Sequence, residues 1–262
     1  MAEDVIVTEQ IGKVTLARIN RPKVHNALDS DTLTELAAAV RACATGASRA
    51  VVVTGTGEKA FSAGADLDQL RGLDAAGAQD VLRSGQRLFA EIEHSPVPVI
   101  AAVNGLALGG GFELVLASTF AVVSTNAAFG LPESGLGLIP GYGGTQRLAR
   151  ITGAPVAAHV MLTGSRLSAQ RAYELGITPL PPVEPNALIS SALEVANQIA
   201  ARGPRANASI LQALRAGAAD PRELAFETAL AAIATGSAEA AEGIAAFKER
   251  RTPEFADGLA GW

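Results

Sequence analysis

The alternation of apolar and polar residues predicts the first elements of the chain. VIVTEQ, which alternates, and KVTLARI are each typical of a short strand and are separated by Ile11-Gly12, which predicts a β-hairpin. In LDSDTLTELAAAVRACAT, Asp29 or Ser30 is placed to cap a helix whose apolar residues recur at helical spacing. These apolar residues are Leu33, Leu36, Ala37 and Val40. The apolar segment RAVVVTG that follows is typical of a buried strand.

Strands and helices continue to alternate in the next part of the chain. AAGAQDVLRSGQRLFAEIEHS predicts a helix, which Pro96 and Pro98 end before the apolar strand PVIAAV. From Gly105 onward the chain is predicted to form a loop and then the helix FELVLAS. FAVVS and AAFG are typical of short strands, and the glycine-rich loop LPESGLGLIPGYGG leads into a helix at TQRLARITG. This alternation predicts an α/β fold.

From about residue 154 the chain is predicted to be helical almost throughout. The predicted helices include APVAAHVMLTG, SAQRAYELG, NALISSALEVANQIAARG, RELAFETALAAIATG and SAEAAEGIAAFKERR. No repeat of fixed period and no low-complexity linker interrupts the sequence. We therefore expect an α/β core over residues 1–185 and a C-terminal helical region over residues 186–262, divided by a soft boundary.

Composition and charge narrow the classes of partner. Hydrophobic residues make up 48% of the 262 residues but aromatic residues only 4%, so a globular core packed through small side chains is expected. The formal net charge is −5, and no block rich in lysine or arginine occurs beyond KERR at 248–251. Nucleic acid and anionic membranes are therefore not expected as main partners.

The single cysteine and the start of the chain bear on the compartment. Cys43 lies in a helical pattern, where a small buried side chain is far more common than a nucleophile. One cysteine allows neither a disulfide framework nor a cysteine-based zinc site, which fits a reducing cytoplasm. MAEDVIVTEQ has no basic segment followed by a long apolar run, so we expect neither secretion nor a membrane span.

Several other chemistries lack their defining residues. There is no Walker-type lysine followed by Ser or Thr, no HExxH and no Gly-x-Ser-x-Gly. VVVTGTGEKA places Gly-x-Gly-x-x-Ala after a strand, which keeps a nucleotide-dependent oxidoreductase as a minor alternative. His25, His94 and His159 are scattered without metal-ligand spacing, so no metal site is expected, and Asp66 is interpreted as an ordinary N-cap.

Two glutamates in glycine-rich surroundings are the strongest candidates for chemistry. Glu113 ends GLALGGGFE, in which Gly109 to Gly111 leave backbone N–H groups free to point at an anion. Glu133 lies in FGLPESGLG. Taken alone, Glu113 could be a structural residue that interacts favourably with the helix dipole, and Glu133 could be a solvated loop residue. The apolar segments around both glutamates are unlike a charged surface, which favours a catalytic site.

Five segments in order carry a family resemblance: EKAFSAGADL, PVIAAVNGLALGGGFEL, AFGLPESGLGLIPGYGGTQRL, LTGSRLSAQRAYELG and IAAFKERRTPEF. They resemble the crotonase family, and specifically its enoyl-CoA hydratases, from the first hairpin to the last helix. The resemblance implies the crotonase (ClpP-like) fold, in which stacked ββα units form two roughly perpendicular sheets. It also implies C-terminal helices that complete a homotrimer, which commonly pairs into a hexamer, and an acyl-CoA thioester as substrate.

The resemblance further implies which residues bind the substrate. The thioester oxygen is expected between the backbone N–H groups of Ala65 and Gly110, an oxyanion hole. The residues expected near the CoA nucleotide are Lys59 and Ala63, with Lys248 or Arg250 reaching a phosphate from the last helix. The length of the acyl chain is expected to depend on the helix around residues 70–95 and on C-terminal side chains.

For the reaction, the resemblance implies that Glu113 and Glu133 hold one water between them. Glu113 is expected to act as base toward the water that attacks Cβ, and Glu133 to deliver a proton to Cα. One of the two carboxyls should then have a raised pKa. The Gly141 N–H is expected to help fix the water or Glu133, and Tyr142 stands where many hydratases have a small residue.

These expectations amount to hydration of a 2-trans-enoyl-CoA without a metal or redox cofactor, since CoA is part of the substrate. Three alternatives stay open besides the oxidoreductase. One carboxylate alone can move a proton between carbons, so an enoyl-CoA isomerase or a specialised acyl-CoA dehydratase of the same fold fits the pattern. A non-catalytic acyl-CoA-binding protein is the third, although the presence of both glutamates speaks against it.

Overall fold

The fold is built around two β-sheets. The structure is a computed structural model that describes residues 4–69, 73–216, 235 and 238–256. Nine strands lie within this part of the chain. They are β1 (Ile6–Ile11), β2 (Val14–Ile19), β3 (Ala50–Gly55), β4 (Ala60–Ser62), β5 (Val99–Val103), β6 (Leu106–Leu108), β7 (Phe120–Val123), β8 (Ala128–Gly130) and β9 (Leu167–Ser168).

Helices alternate with these strands and then dominate the C-terminal part. They are α1 (Ser30–Thr45), α2 (Ala75–Glu93), α3 (Gly110–Ala117), α4 (Gly144–Thr152), α5 (Ala154–Thr163), α6 (Ala169–Glu174), α7 (Leu188–Ala200), α8 (Pro204–Ala216) and α9 (Ala238–Glu249). Apart from residue 235, the helix predicted at RELAFETALAAIATG lies outside the described residues. Within the described ranges, no helix is long and apolar enough to cross a membrane.

The topology is a repeat of strand, strand and helix. One sheet has the order β1-β2-β3-β5-β7 and the other the order β4-β6-β8-β9. Only β1 and β9 pair antiparallel with their neighbours, and the remaining pairs are parallel. The units β3-β4-α2, β5-β6-α3 and β7-β8-α4 each give one strand to each sheet. The predicted α/β class and the ββα repeat are therefore confirmed.

The five-stranded sheet is buried on both faces. Val51 and Val53 of β3 pack in the core that includes the apolar sides of α1 and α2. Val52, on the opposite face, packs with Ala192 and Ala196 of α7. Burial on both faces explains why the central strands are uniformly apolar rather than alternating. Helix α7 follows the expected boundary at residue 186 and still packs on this sheet; the division into two regions stays a prediction.

Several local predictions are confirmed. The β1–β2 hairpin forms, and the Asp29 side chain caps α1 by accepting a hydrogen bond from the Thr32 N–H at 2.8 Å. Cys43 is buried in the core. The segment after Gly57 leads into β4 rather than into a helix, so the oxidoreductase alternative lacks the helix N-terminus of a dinucleotide site.

The sequence analysis missed three short strands, β4, β6 and β9. LAL was expected to lie in a loop and AFS was assigned to no element, but these two segments pair in parallel with each other, β6 also pairs with β8, and β8 pairs with β9. Segments this short do not show a hydrophobic period. Strands β4 and β6 matter because the loop after β4 and the start of α3 after β6 are thereby placed side by side.

Candidate active site

A cavity of about 130 Å³ lies where the loop after β4 meets the start of α3. Its walls are residues 63–65, the first turn of α3, Leu82 of α2 and parts of the segment 132–142. Most of the lining is apolar, but the carboxyls of Glu113 and Glu133 both reach it. A small apolar cavity with two convergent carboxyls is the kind of site in which proton transfer is expected.

The loop after β4 is held so that one backbone N–H stays free. The Leu28 N–H donates to the Gly64 carbonyl at 2.8 Å, and the Asp66 N–H donates to the Leu28 carbonyl at 3.0 Å. Between these two bonds, the Ala65 N–H has no hydrogen-bond partner in the described part of the chain. Ala65 lines the cavity, as does its neighbour Ala63.

Asp66 has the structural role predicted for it. It precedes a short 3-10 helix at Leu67–Gln69, and its Oδ1 accepts from the Asp68 N–H at 3.3 Å. Arg21 pairs with both Asp66, at 3.3 Å, and Asp29, at 2.9 Å. This ion pairing ties the loop after β4 to the start of α1.

Glycines allow the start of α3 to approach this loop. Gly64 has φ +110°, and a Cβ there would lie 2.8 Å from the Leu108 carbonyl oxygen. A Cβ on Gly110 would lie 3.2 Å from the Ala65 nitrogen. Gly110 is the first residue of α3, so its N–H has no partner within the helix. The N–H groups of Ala65 and Gly110 therefore belong to adjacent backbone segments at one end of the cavity.

Glu113 is buried and firmly held. Its side chain is 1% exposed, and its Oε1 accepts from the Tyr142 N–H at 2.8 Å and the Gly144 N–H at 2.7 Å. Burial raises the pKa of Glu113 to about 7, and the charge of Glu133 adds to this, while the two N–H bonds and Arg147 act against it. Its predicted raised pKa is thus supported, with burial rather than Glu133 as the main cause. A carboxyl that ionises near neutrality is suited to act as a base.

Glu133 lies at the start of a short 3-10 helix, Glu133–Leu136, and is half-buried. A Cβ on Gly109 would lie 3.2 Å from its Oε1, which shows how close the carboxyl comes to the backbone before α3. Its Oε2 is buried without a hydrogen-bond partner among the described residues. Burial raises the pKa of Glu133 as well. The Glu133 carboxyl is therefore not fully solvated, and its buried oxygen without a partner calls for an explanation, of which a catalytic role is one.

Gly141 lines the cavity, but its neighbours make the contacts with a carboxylate. The Gly141 carbonyl accepts from the Gln86 side chain at 2.9 Å, and no hydrogen bond from its N–H is present within the described ranges. Its role toward the water stays a prediction. The N–H donors to Glu113 are Tyr142 and Gly144, which the sequence analysis did not identify. A Cβ on Gly144 would lie 2.9 Å from Glu113 Cγ, so a glycine is required there.

The Tyr142 ring occupies space that is free because residue 85 is a glycine. The ring is buried and stacks on Phe89 with a centroid distance of 4.9 Å. A Cβ on Gly85 of α2 would lie 2.2 Å from the Tyr142 ring. Burial, with the charge of Glu113, raises the pKa of Tyr142 to about 12, so it stays a neutral phenol. The larger residue at this position is accommodated between α2 and α3 and forms part of the cavity wall.

The residues expected near a CoA nucleotide are only partly brought together. Lys59 is exposed and lines a second depression with Lys23 and His25, and the Ala63 N–H donates to the His25 carbonyl at 2.9 Å. Lys248 and Arg250 are exposed at the end of α9 and line neither depression. No group of three His, Cys, Asp or Glu in the described part of the chain is placed to hold a metal ion.

The repeated ββα units are those of the crotonase fold that the sequence resemblance implied. Residues 9–258 match the sequence profile of the enoyl-CoA hydratase/isomerase family. The chain belongs to this family.

Characterised and solved relatives agree with this assignment. A short-chain-enoyl-CoA hydratase of Clostridium acetobutylicum is 37% identical over 95% of this chain and 96% of its own. A crotonyl-CoA hydratase of Syntrophomonas wolfei is 37% identical over 97% of this chain and 99% of its own. The crystal structure of an enoyl-CoA hydratase from Bacillus anthracis superposes with a TM-score of 0.91 at 36% identity, covering 96% of this chain and 99% of that one.

Proposed function

We propose that this protein is an enoyl-CoA hydratase, which adds water in the syn sense across a 2-trans-enoyl-CoA to give a 3-hydroxyacyl-CoA. The observation that carries the proposal is the pair of glutamates, both with raised pKa, that share one apolar cavity with the Ala65 and Gly110 N–H groups, which have no hydrogen-bond partner among the described residues. The names of the relatives in Clostridium acetobutylicum and Syntrophomonas wolfei support hydratase activity.

Substrate activation is assigned to the backbone. The thioester oxygen accepts hydrogen bonds from the Ala65 and Gly110 N–H groups, which stabilise the negative charge that builds on this oxygen as water adds. Each such donor typically contributes ~2.7–4 kcal/mol to the transition state. Small residues suit both positions, because a larger side chain would keep the thioester away from the backbone.

The two glutamates divide the proton transfers. The ionised Glu113, fixed through its Oε1, accepts a proton from water as the water oxygen bonds to Cβ. The electrons of the double bond move onto the thioester oxygen as an enolate, and protonated Glu133 then delivers its proton to Cα. With both carboxyls on the same side of the double bond, the OH from water and the H from Glu133 add to one face, which gives the syn product. Glu113 is then protonated and Glu133 ionised, so a proton must pass from Glu113 back to Glu133 through the next water before another turnover.

The closest alternative within the fold is isomerisation, for which a single carboxylate is enough. Hydration needs a second carboxylate, and Glu113 is held in place for this role because two N–H groups donate to its Oε1. Purified protein should consume crotonyl-CoA with loss of the conjugated thioester absorbance. Activity on a 3-enoyl-CoA without hydration of crotonyl-CoA would favour the isomerase, and binding without turnover would favour the non-catalytic alternative.

Assembly into a homotrimer, or a hexamer built from two trimers, is part of the proposal. Large apolar side chains are exposed beside the cavity and on α5, including Leu136 at 60%, Ile139 at 77% and Leu162 at 78%. Burial of such side chains against another copy would remove their contact with water. In such an assembly Lys248 or Arg250 of one copy would contact the CoA phosphates beside Lys59 of another. Light scattering after size exclusion measures the number of copies.

The raised pKa of Glu113 predicts the pH dependence of the reaction. Only the ionised carboxylate accepts a proton from water, so kcat/KM should fall as the pH falls through about 7. Glu133 must carry a proton in the reactive form, so loss of that proton should also lower kcat/KM, and both apparent pKa values belong to the coupled pair. Initial rates of crotonyl-CoA hydration across the pH range measure this profile. A profile that stays flat through pH 7 would contradict the role of Glu113 as base.

The backbone donors predict a difference between two unreactive ligands. A CoA thioether lacks the carbonyl oxygen, and therefore loses the contacts with the Ala65 and Gly110 N–H groups while keeping those of the nucleotide and pantetheine. We expect it to bind more weakly than the matching thioester analogue, by up to about 3 kcal/mol. Calorimetric titration of both ligands measures the difference. Equal affinities would show that the two N–H groups do not bind the thioester before reaction.

A further inference from the structure

An ion pair outside the cavity connects two helices at the back of the site. Arg147 of α4 donates to Glu93 Oε2 at the end of α2, from Nη2 at 2.6 Å and from Nε at 3.1 Å. The Arg147 side chain is 12% exposed and that of Glu93 26%. Neither residue lines the cavity, so the pair does not contact a substrate there. Because both side chains are largely shielded from water, the pair is screened less than a surface ion pair.

The third nitrogen of the same guanidinium binds the loop that holds Glu113. Arg147 Nη1 donates to the Tyr142 carbonyl at 2.6 Å. Gly143 has φ +103°, and a Cβ there would lie 2.4 Å from this nitrogen, so a glycine is needed for the guanidinium to reach the loop. The N–H groups of Tyr142 itself and of Gly144, two residues further on, both donate to Glu113 Oε1.

Among the residues that the structure describes, few charged or titratable groups surround Glu113. Glu133 faces it from the 3-10 helix and Tyr142 from the loop, and Arg147 is the cation that acts on it from α4. On the side of α2, Glu93 pairs with Arg147 and also interacts electrostatically with Arg215 of α8. Strands β4, β5, β6 and β7, which pack on α3, carry no charged residue. A substitution of Arg147 should therefore affect Glu113 in two ways. It would disturb the loop that holds the Glu113 carboxyl, and it would remove the positive charge of Arg147 near that carboxyl.

We propose that Arg147 is a positioning residue, which is anchored by Glu93 and holds the 142–144 loop so that its two N–H groups fix Glu113 for proton transfer. The inference rests on the proposed function of Glu113 as base. Arg147 acts through the loop and does not touch the reacting atoms.

The first test is Arg147→Met, which keeps the length of the side chain and removes all its donors. We expect kcat on crotonyl-CoA to fall by about 10- to 100-fold with KM changed little, because misplacement of a reacting group lowers the rate more than binding. The acidic limb of the pH profile should move to higher pH, since the cation that favours ionised Glu113 is gone. Arg150→Met, an exposed arginine on the same helix, is the matched control and should leave kcat and the profile unchanged.

A second comparison separates positioning from a general loss of structure. In a Glu113→Gln background there is no base left to position, so adding Arg147→Met should lower the residual rate much less than it does in the wild type. If Arg147→Met does not fold, Arg147→Lys and Glu93→Gln carry the test. Arg147→Lys keeps the charge but not the fork of donors, so it should lower kcat with a smaller shift of the acidic limb. Glu93→Gln should lower kcat because the anchor is weakened.

The outcomes distinguish this inference from the proposed function. Wild-type protein that binds acyl-CoA but does not hydrate crotonyl-CoA would remove the proposed function, and the inference with it. Active wild type together with a folded Arg147→Met variant of unchanged kcat and unchanged pH profile would overturn the positioning role alone. An equal loss of rate with and without Glu113 would also overturn it.

Discussion

Glu133→Gln is expected to lower the turnover of crotonyl-CoA by ~10²–10⁴ while leaving the affinity for acyl-CoA nearly unchanged. Glutamine keeps the shape of the side chain, but an amide cannot give up a proton to Cα. The buried Oε2 of Glu133 has no partner among the described residues, so the substitution breaks no hydrogen bond of that oxygen. Steady-state kinetics and calorimetry with an unreactive acyl-CoA measure the two quantities. Near-wild-type turnover would remove Glu133 from the mechanism.

Glu113→Gln should cause a similar loss for hydration, and it separates the two activities of the family. An isomerase that relies on Glu133 alone would be far less sensitive to this change. The control for both variants is Glu35→Gln, an exposed glutamate on α1, which should leave turnover unchanged. A loss confined to Glu133→Gln would favour isomerisation over hydration.

Glu113→Gln also has an expected signature in stability. The pKa of Glu113 is about 7 in the folded chain, against an ordinary value of 4.5. The folded state therefore binds the proton more tightly than the unfolded state. Its contribution to stability is complete below pH 4.5 and is lost as the pH rises through about 7. Above that pH, Glu113→Gln should melt at a higher temperature than the wild type, since the neutral amide has no buried charge.

Much of the fold could be predicted because its main strands are buried on both faces. β3, β5 and β7 form continuous apolar segments, and proline or glycine interrupts the pattern between them. β4 and β6 could not be predicted in the same way. Each has three residues, and what makes them strands is their pairing with each other and, for β6, with β8. Such pairing joins residues distant in sequence and leaves no periodic signal in the segment itself.

In the candidate site, too, residues with a local signal in the sequence could be predicted and contacts between distant segments could not. Glu113 and Glu133 stand out because each is a charge within apolar, glycine-rich sequence. The donors that hold Glu113 do not stand out, because the Tyr142 and Gly144 N–H groups are 29 and 31 residues away and belong to the backbone. The glycines of IPGYGG are the only sequence trace of this contact. The structure explains why two of these residues are glycines. A Cβ on Gly143 would collide with the Arg147 side chain, and a Cβ on Gly144 would collide with that of Glu113.

The proposed oxyanion hole can be tested through Gly64, which lies beside both N–H groups, since no side-chain substitution removes a backbone N–H. Gly64→Ala is expected to lower kcat by ~10²–10³, the usual cost of losing one such donor. At φ +110° an alanine is strained, and its Cβ would lie 2.8 Å from the Leu108 carbonyl oxygen and 3.3 Å from the Gly110 nitrogen. The loop that carries the Ala65 N–H must then move away from the N–H of Gly110.

Backbone strain alone would also destabilise the chain. The matched control is therefore a glycine that also has a positive φ but has open space around its Cβ position. Gly176 has φ +76° and nothing within 4 Å of its Cβ position. Gly176→Ala should therefore lower the melting temperature through backbone strain but leave kcat unchanged. Gly64→Ala should lower kcat and also reduce the advantage of a thioester analogue over the matching thioether in calorimetry, because that advantage depends on the two N–H groups. Wild-type kcat in a folded Gly64→Ala variant would mean that the Ala65 N–H does not stabilise the transition state.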